Sequence, residues 1–305
     1  MMFSSIRLSS SRLSSSLAAS HNVVPRHPAS GEPRDSPRTA RVAHRSHGPG
    51  LLTAAVLTAS IVLSGCSTSS DQSQPAQSPS QSGSTGASGS QDVHFTVGYA
   101  GDVLMHMPVM ESTPGASGDI TDNIAAETPW VEGLDLALCG MEVPVAPDGV
   151  YSGYPAFGTS SEVIGALARS GWDGCATASN HAADRGEAGV VATLDALDAH
   201  GLGHAGTYRS PEDASVPFAL YELERGGRTV TVAQISTTKD LNGLDDPTGH
   251  SVSLNDVGAI TKAAKTARAA GADLVVVHSQ IGQEYETKPN DEQVSYAQSL
   301  ADSGQ

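Results

Sequence analysis

The sequence predicts an α/β fold, a layered sandwich built around a mixed β-sheet, and three observations carry that expectation. From residue 93 onward, short apolar runs of strand character alternate with Ala/Val/Leu stretches of helical period, the pattern of strands joined by crossover helices. Two of the runs flank Arg225-Gly226-Gly227-Arg228, a hairpin signature that adds an antiparallel pair. Four of the runs end in Asp, Glu, Asn or His, which collects polar side chains at one sheet edge, where α/β folds bind ligands.

The 305 residues divide unevenly. Residues 1–50 are rich in Ser and Arg without apolar period; they predict a disordered extension, or sequence upstream of a start near Val42. Residues 51–63 are apolar, follow Arg41 and Arg45, and are too few to span a bilayer but have the length of a signal-peptide core. They end in Leu63-Ser64-Gly65-Cys66, which resembles the bacterial lipobox. That resemblance implies that 51–66 is a lipoprotein signal, that Cys66 is lipidated, and that acyl chains hold the protein at the extracytoplasmic face of the cell membrane. Residues 67–91, nearly all Ser, Gln, Gly, Pro and Thr, read as a flexible linker, leaving 92–305 as the domain.

Residues 67–305 hold ten of the seventeen basic and thirty-one of the thirty-three acidic residues, a formal charge of −21. Such a surface repels nucleic acid and attracts cations, so no nucleic-acid partner is expected.

In order, residues 93–100 (VHFTVGYA) and 134–140 (LDLALCG) read as buried strands, and 160–169 as a helix capped by Ser160 or Ser161. Residues 172–178 are the next strand and 187–200 a helix closed by Gly201, followed by a short strand at 203–206. Residues 218–223 and 229–235 form the hairpin, 256–270 a helix, 273–279 (DLVVVHS) a strand and 291–302 a final helix. Cys139 and Cys175 lie near strand ends and read as two small buried thiols, with pairing open to them if the strands are neighbours.

The first strand runs into Asp102 with His106 four residues on, the second into Glu142, the third into Asn180-His181, and the last into His278-Ser279-Gln280-Ile281-Gly282-Gln283-Glu284-Tyr285. Such donors converging from four strand ends suit one or two divalent cations. In the central turn ATASNHAADRG, Asn180 offers a neutral oxygen, His181 a nitrogen ligand or general acid, and Asp184 an acceptor that fixes the imidazole tautomer. The same residues also suit a polar-capped helix start. Arg209 is a candidate contact for an anionic substrate or a solvated loop residue, and no GxxxxGK phosphate loop is present.

GDVLMH, the acidic residue of CGMEVP, SNHAADRG with the stretch that follows it, and IGQEY resemble, in order and spacing, the CapA family of capsule synthesis, also called the poly-γ-glutamate biosynthesis family, over about residues 93–305. That family is similar to calcineurin-like metallophosphoesterases. The resemblance implies a metallophosphoesterase-like sandwich binding two divalent ions of the Mn, Fe or Zn class. Asp102, Glu142 and Asn180 would be ligands, His106 a further one, His181 the acid on the leaving group, and Glu284 and Tyr285 substrate contacts. Where the family has His-Trp-Gly, this chain has Gln280-Ile281-Gly282, so His278, about 6.6 Å back along the strand, substitutes only if the strand end shifts; otherwise it is a buried strand residue with a satisfied hydrogen bond. The family's later Gly-His-His-Pro-His-like block has no counterpart before Gln305, so a partial domain with an unpaired sheet edge is expected.

The resulting expectation is a lipid-anchored, metal-dependent phosphoesterase acting on an anionic envelope polymer or a phosphoester. The alternative is a non-catalytic lipoprotein that binds polymer or scaffolds a polymer synthesis and export complex, which loss of a His ligand at Gln280 favours.

Overall fold

The central apolar run of the domain, residues 136–141, is buried on both faces, and the two faces belong to different layers. The computed structural model describes residues 2–8, 23–25 and 92–304; the expected signal segment, Cys66 and the 67–91 linker lie outside them. The described strands are β1 (Met2–Leu8), β2 (Val23–Pro25), β3 (Val93–Val103), β4 (Leu136–Met141), β5 (Gly174–Ala176), β6 (Gly203–Ala205), β7 (Ala219–Arg225), β8 (Arg228–Thr238) and β9 (Leu274–Gln280). Helices α1 (Met107–Ser112), α2 (Thr128–Glu132), α3 (Glu162–Arg169), α4 (Gly186–Ala199), α5 (Pro211–Ala214), α6 (Val257–Ala269) and α7 (Asp291–Asp302) connect or follow them.

The fold is α/β and layered, as expected, and its strands form two sheets. One has the order β1-β3-β4-β5-β6, parallel except for β1; the other runs β2-β7-β8-β9 with β7 and β8 antiparallel. Strand β4 shows why both sheets form, since all six of its residues are buried. Leu136 and Leu138 join Phe95 and Val97 against Tyr221, Leu223, Val230 and Val232 of the other sheet. Ala137, Cys139 and Met141, alternating with them, face Ile164 and Leu167 of α3 and Leu194 and Leu197 of α4. On the far side, Ile260, Ala263 and Ala267 of α6, with Tyr296 and Leu300 of α7, cover the second sheet. The result is four layers, helix, sheet, sheet, helix.

Helix α6 begins where Asp256 accepts from the Ala259 N–H at 2.9 Å, and α7 begins with a reciprocal cap between Asn290 and Gln293. Helices α1, α2 and α5 escape the sequence reading because they hold six residues or fewer, too short for a readable period, and each carries a Pro in its first two positions. Residues 2–8 and 23–25 pair through backbone bonds to the edges offered by β3 and β7, and the rest of the expected 1–50 extension lies outside the described residues. The reading of two free thiols is corrected too, because β4 and β5 are neighbours in register and set Cys139 opposite Cys175, their sulfurs bonded and their Cα atoms 4.4 Å apart. Among the described residues no helix is long and apolar enough to cross a membrane.

One phenol fixes how the sheets meet. Tyr221 is fully buried and donates its hydroxyl to Gln234 Oε1 at 2.7 Å, while its ring end lies over Gly174 and Gly203. A Cβ on Gly174 would stand 2.1 Å from the Tyr221 oxygen, and one on Gly203 2.5 Å, so both strands need glycine for this close approach. Gly174→Ala is expected to lower stability by about 1–3 kcal/mol through overpacking, read as a drop in denaturation midpoint with an unchanged slope.

Candidate metal centre

The carboxyl ends of β3, β4, β8 and β9 surround a cavity of about 240 Å³ lined by Tyr99, Asp102, Glu142, Ser236, His278 and Gln280, among others. Strand β4 reaches its floor at Gly140, where a Cβ would lie 2.8 Å from the Tyr99 hydroxyl and 3.0 Å from Asp102 Oδ1.

The turn after β5 closes one side, and its backbone donors are satisfied by side chains from elsewhere. Ala178 N–H donates to Ser236 Oγ at 3.2 Å and Asn180 N–H to Gln280 Oε1 at 2.6 Å. The Ser179 hydroxyl donates to the Glu142 carbonyl at 2.5 Å and accepts from the His181 N–H at 3.1 Å. Ala178, Ala182 and Ala183 pack with Leu241 and Val252, so the turn is held by apolar contacts as well.

His181 is buried against the edge of Phe157, ring centroids 4.7 Å apart, and its Nδ1 lies 2.7 Å from Asp184 Oδ2. Asp184 also accepts from the Phe157 N–H at 2.7 Å, which fixes the carboxylate that fixes the imidazole. With Nδ1–H committed to Asp184, Nε2 is the nitrogen left to exchange a proton. Burial alone would lower the His181 pKa, but the hydrogen bond and charge of Asp184, with the charges of Glu142 and Glu284, outweigh it and leave it raised.

Glu142 is almost fully buried, and that burial, reinforced by the neighbouring Asp102 charge, pushes its carboxyl up to about 7 while His181 pulls the other way. Asp102 opens to solvent, yet the surrounding protein still raises its pKa against a hydrogen bond from Gln280. Burial, then the charges of Asp102 and Glu142, also raise the Tyr99 phenol. Among the described residues no Lys or Arg lines the cavity with these carboxylates.

Asp102, Glu142, Asn180, His181 and Asp184 are thus brought together, with Glu284 near enough for its charge to act on Glu142 and His181. His278 lines the cavity, stacked on Tyr99 at 3.9 Å with its Nδ1 3.2 Å from Gln234 Nε2, and burial holds its pKa down to about 4. His106 is exposed, and its ring meets Phe157 edge-on with centroids 4.9 Å apart. Arg209 is engaged by Asp195 at 2.9 Å and Asp198 at 2.6 Å, both on α4, and Tyr285 is 98% exposed on the loop after β9. The sequence reading missed Tyr99, which alternation disguises as a core residue, and Asn242, whose Asn-Gly pair reads as a turn. It also missed Arg185, which donates to the carbonyls of Phe157 and Val150 and to Ser152 Oγ and so ties down the loop carrying Phe157.

Among the described residues no three His, Cys, Asp or Glu side chains lie close enough together to form a metal-binding group by themselves. The donor set here is of another kind, two carboxylates plus an amide. Asn180 Oδ1 is buried with no hydrogen-bond partner, on a residue whose N–H shares Gln280 with Asp102, and burial raises the pKa of both Asp102 and Glu142. An orphaned buried acceptor costs about 1–3 kcal/mol, and a hard divalent cation would satisfy it and the carboxylates together. The residues fit such an ion.

A family profile described as bacterial capsule synthesis protein PGA_cap matches residues 96–305. The chain is 26% identical over 225 residues to the Bacillus anthracis protein named capsule biosynthesis protein CapA, covering 69% of this chain and 52% of that protein. It therefore spans about half the length of that curated relative.

Residues 239–256 cover the turn, and one carboxylate organises them. Asp246 accepts from the N–H groups of Thr248 at 3.1 Å, Gly249 at 3.2 Å, Ser251 at 3.1 Å and Val252 at 3.2 Å. Burial works against the charged form, but these bonds outweigh it and lower the Asp246 pKa. A carboxyl depressed in the fold stabilises it above the unfolded value of about 3.9 and loses that contribution as pH falls through the folded value. Hydrogen-exchange protection at Thr248, Gly249, Ser251 and Val252 is expected to stay constant from pH 7 to 5 and to fall only below about 4.

Proposed function

We propose, for a chain that belongs to the bacterial capsule synthesis family PGA_cap, that it is a membrane-anchored extracytoplasmic protein that hydrolyses a phosphoester or related bond in capsule or envelope polymer metabolism with the help of a divalent ion. Lipidation at Cys66 is the proposed anchor. The observation that carries the hydrolytic reading is the bare, buried Asn180 Oδ1 on the turn that Gln280 ties to Asp102. Asp102, Glu142 and Asn180 would hold the ion, and an all-oxygen set favours Mn²⁺ or Mg²⁺ over Zn²⁺. Bound there, a divalent ion supplies Lewis acidity and lowers the pKa of a coordinated water. His181 gives a proton from Nε2 to the leaving oxygen, with Asp184 holding the ring and stabilising its charged form. Tyr99 and His278 wall the cavity with ring faces and limit its water.

A second reading, a non-catalytic protein that binds polymer or scaffolds its synthesis and export, is favoured by Gln280. Its amide bonds Asp102, Asn180 N–H and the Thr238 hydroxyl, and so cross-links the cavity instead of donating a ligand nitrogen. Phosphoester turnover measured with Mn²⁺ and Mg²⁺ separates the two: turnover abolished by His181→Ala supports hydrolysis, and none in any metal supports the second.

Because the ion must displace the proton from Glu142, Mn²⁺ affinity is expected to weaken about tenfold per pH unit below about 7 and to level off above it. Calorimetric titration across pH checks this, and Asp102→Ala is expected to weaken binding by more than about 100-fold at any pH.

A further inference from the structure

Asn180 has three polar groups on its backbone N–H and side-chain amide, and two are assigned. Its N–H donates to Gln280 Oε1 and its Nδ2 donates to Asn242 Oδ1 at 3.3 Å, which leaves Oδ1 as the bare, buried end. An amide reversed by half a turn would leave an N–H₂ group as the bare end instead, a donor that is useless to a cation. The acceptor on Asn242 is what selects between the two orientations.

Asn242 is well held for that task. Its backbone is left-handed, φ 54°, which Asn tolerates, and its N–H donates to Asp240 Oδ1 at 3.0 Å. The preceding Leu241 is buried among Ala178, Ala182 and Ala183, so the loop is registered directly on the turn that carries Asn180. Asn242 Nδ2 lies 3.5 Å from His181 Nδ1 and 3.4 Å from Nε2. With Nδ1 committed to Asp184, Asn242 Nδ2 is within hydrogen-bond reach of Nε2.

We propose that Asn242 is a positioning residue that orients the Asn180 amide so that its oxygen, not its nitrogen, is the free end offered to a cation. The inference rests on the metal-binding reading of this site. Two variants of the full chain isolate the side chain from the backbone. Asn242→Gly keeps the left-handed conformation and removes the acceptor, and Asn242→Asp keeps an acceptor oxygen for Asn180 Nδ2. With Mn²⁺ as probe, followed by the electron paramagnetic resonance of the free ion, Asn242→Gly is expected to bind about 10–100-fold more weakly than wild type, while Asn242→Asp matches or exceeds it. The Asn180 side-chain amide resonances of the metal-free protein should shift in Asn242→Gly and stay near wild type in Asn242→Asp. Wild-type affinity in Asn242→Gly, or equal losses in both variants, overturns the positioning role and leaves the metal centre standing. Absence of Mn²⁺ binding by the wild-type chain overturns the metal centre and this role together.

Discussion

A strand that ends in the interior leaves backbone N–H groups with no ladder to join, and the exit of β5 meets that constraint with borrowed side chains. Ser236 comes from β8, Gln280 from β9, and Ser179 reaches across to the carbonyl of Glu142 after β4. The turn carrying Asn180 and His181 therefore exists in its observed shape only when both sheets are assembled. Site and fold are one hydrogen-bonded unit, and neither sheet alone contains it.

That dependence explains how the protein tolerates its carboxylates. Burying Glu142 next to Asp102 is unfavourable: burial first, and then the Asp102 charge, raise the Glu142 pKa, while burial raises that of Asp102. The rigid surroundings hold the groups in place: Gly140 lets the floor approach, Tyr99 stacks on His278, and Gln280 spans Asp102 and the turn. Strain of this kind, concentrated at one edge of an otherwise well-packed sandwich, is where a binding site is expected.

Asp102, Glu142, Asn180, His181 and Asp184 were legible in the sequence because each follows an apolar run closely, and strand exits in an α/β fold point to one edge. The helices of eight residues or more were legible from their period, and so was the β7–β8 hairpin from Gly226-Gly227. The second sheet was not, since a strand's pattern shows that both faces are buried and not what buries them. Cys139 and Cys175 turned on strand adjacency, which spacing along the chain does not encode. Asn242 was hidden for a similar reason: an Asn-Gly turn is common, and only its contact with Asn180, 62 residues away in sequence, gives it meaning. Arg209 looked available in the sequence because Asp195 and Asp198 lie a helical turn apart on a neighbouring element, a geometry that emerges only on folding.

The Tyr221 phenol acts as a dowel between the sheets. Seated over Gly174 and Gly203, it blocks sliding of one sheet across the other along the strand direction. Its hydroxyl bonds Gln234, whose amide meets His278, whose ring stacks on Tyr99 at the cavity wall. Shear at the sheet interface is thereby transmitted along one buried line of contacts to the cavity. The tolerance to which this molecule's cavity is built is set at a packing contact several residues upstream of Asn180.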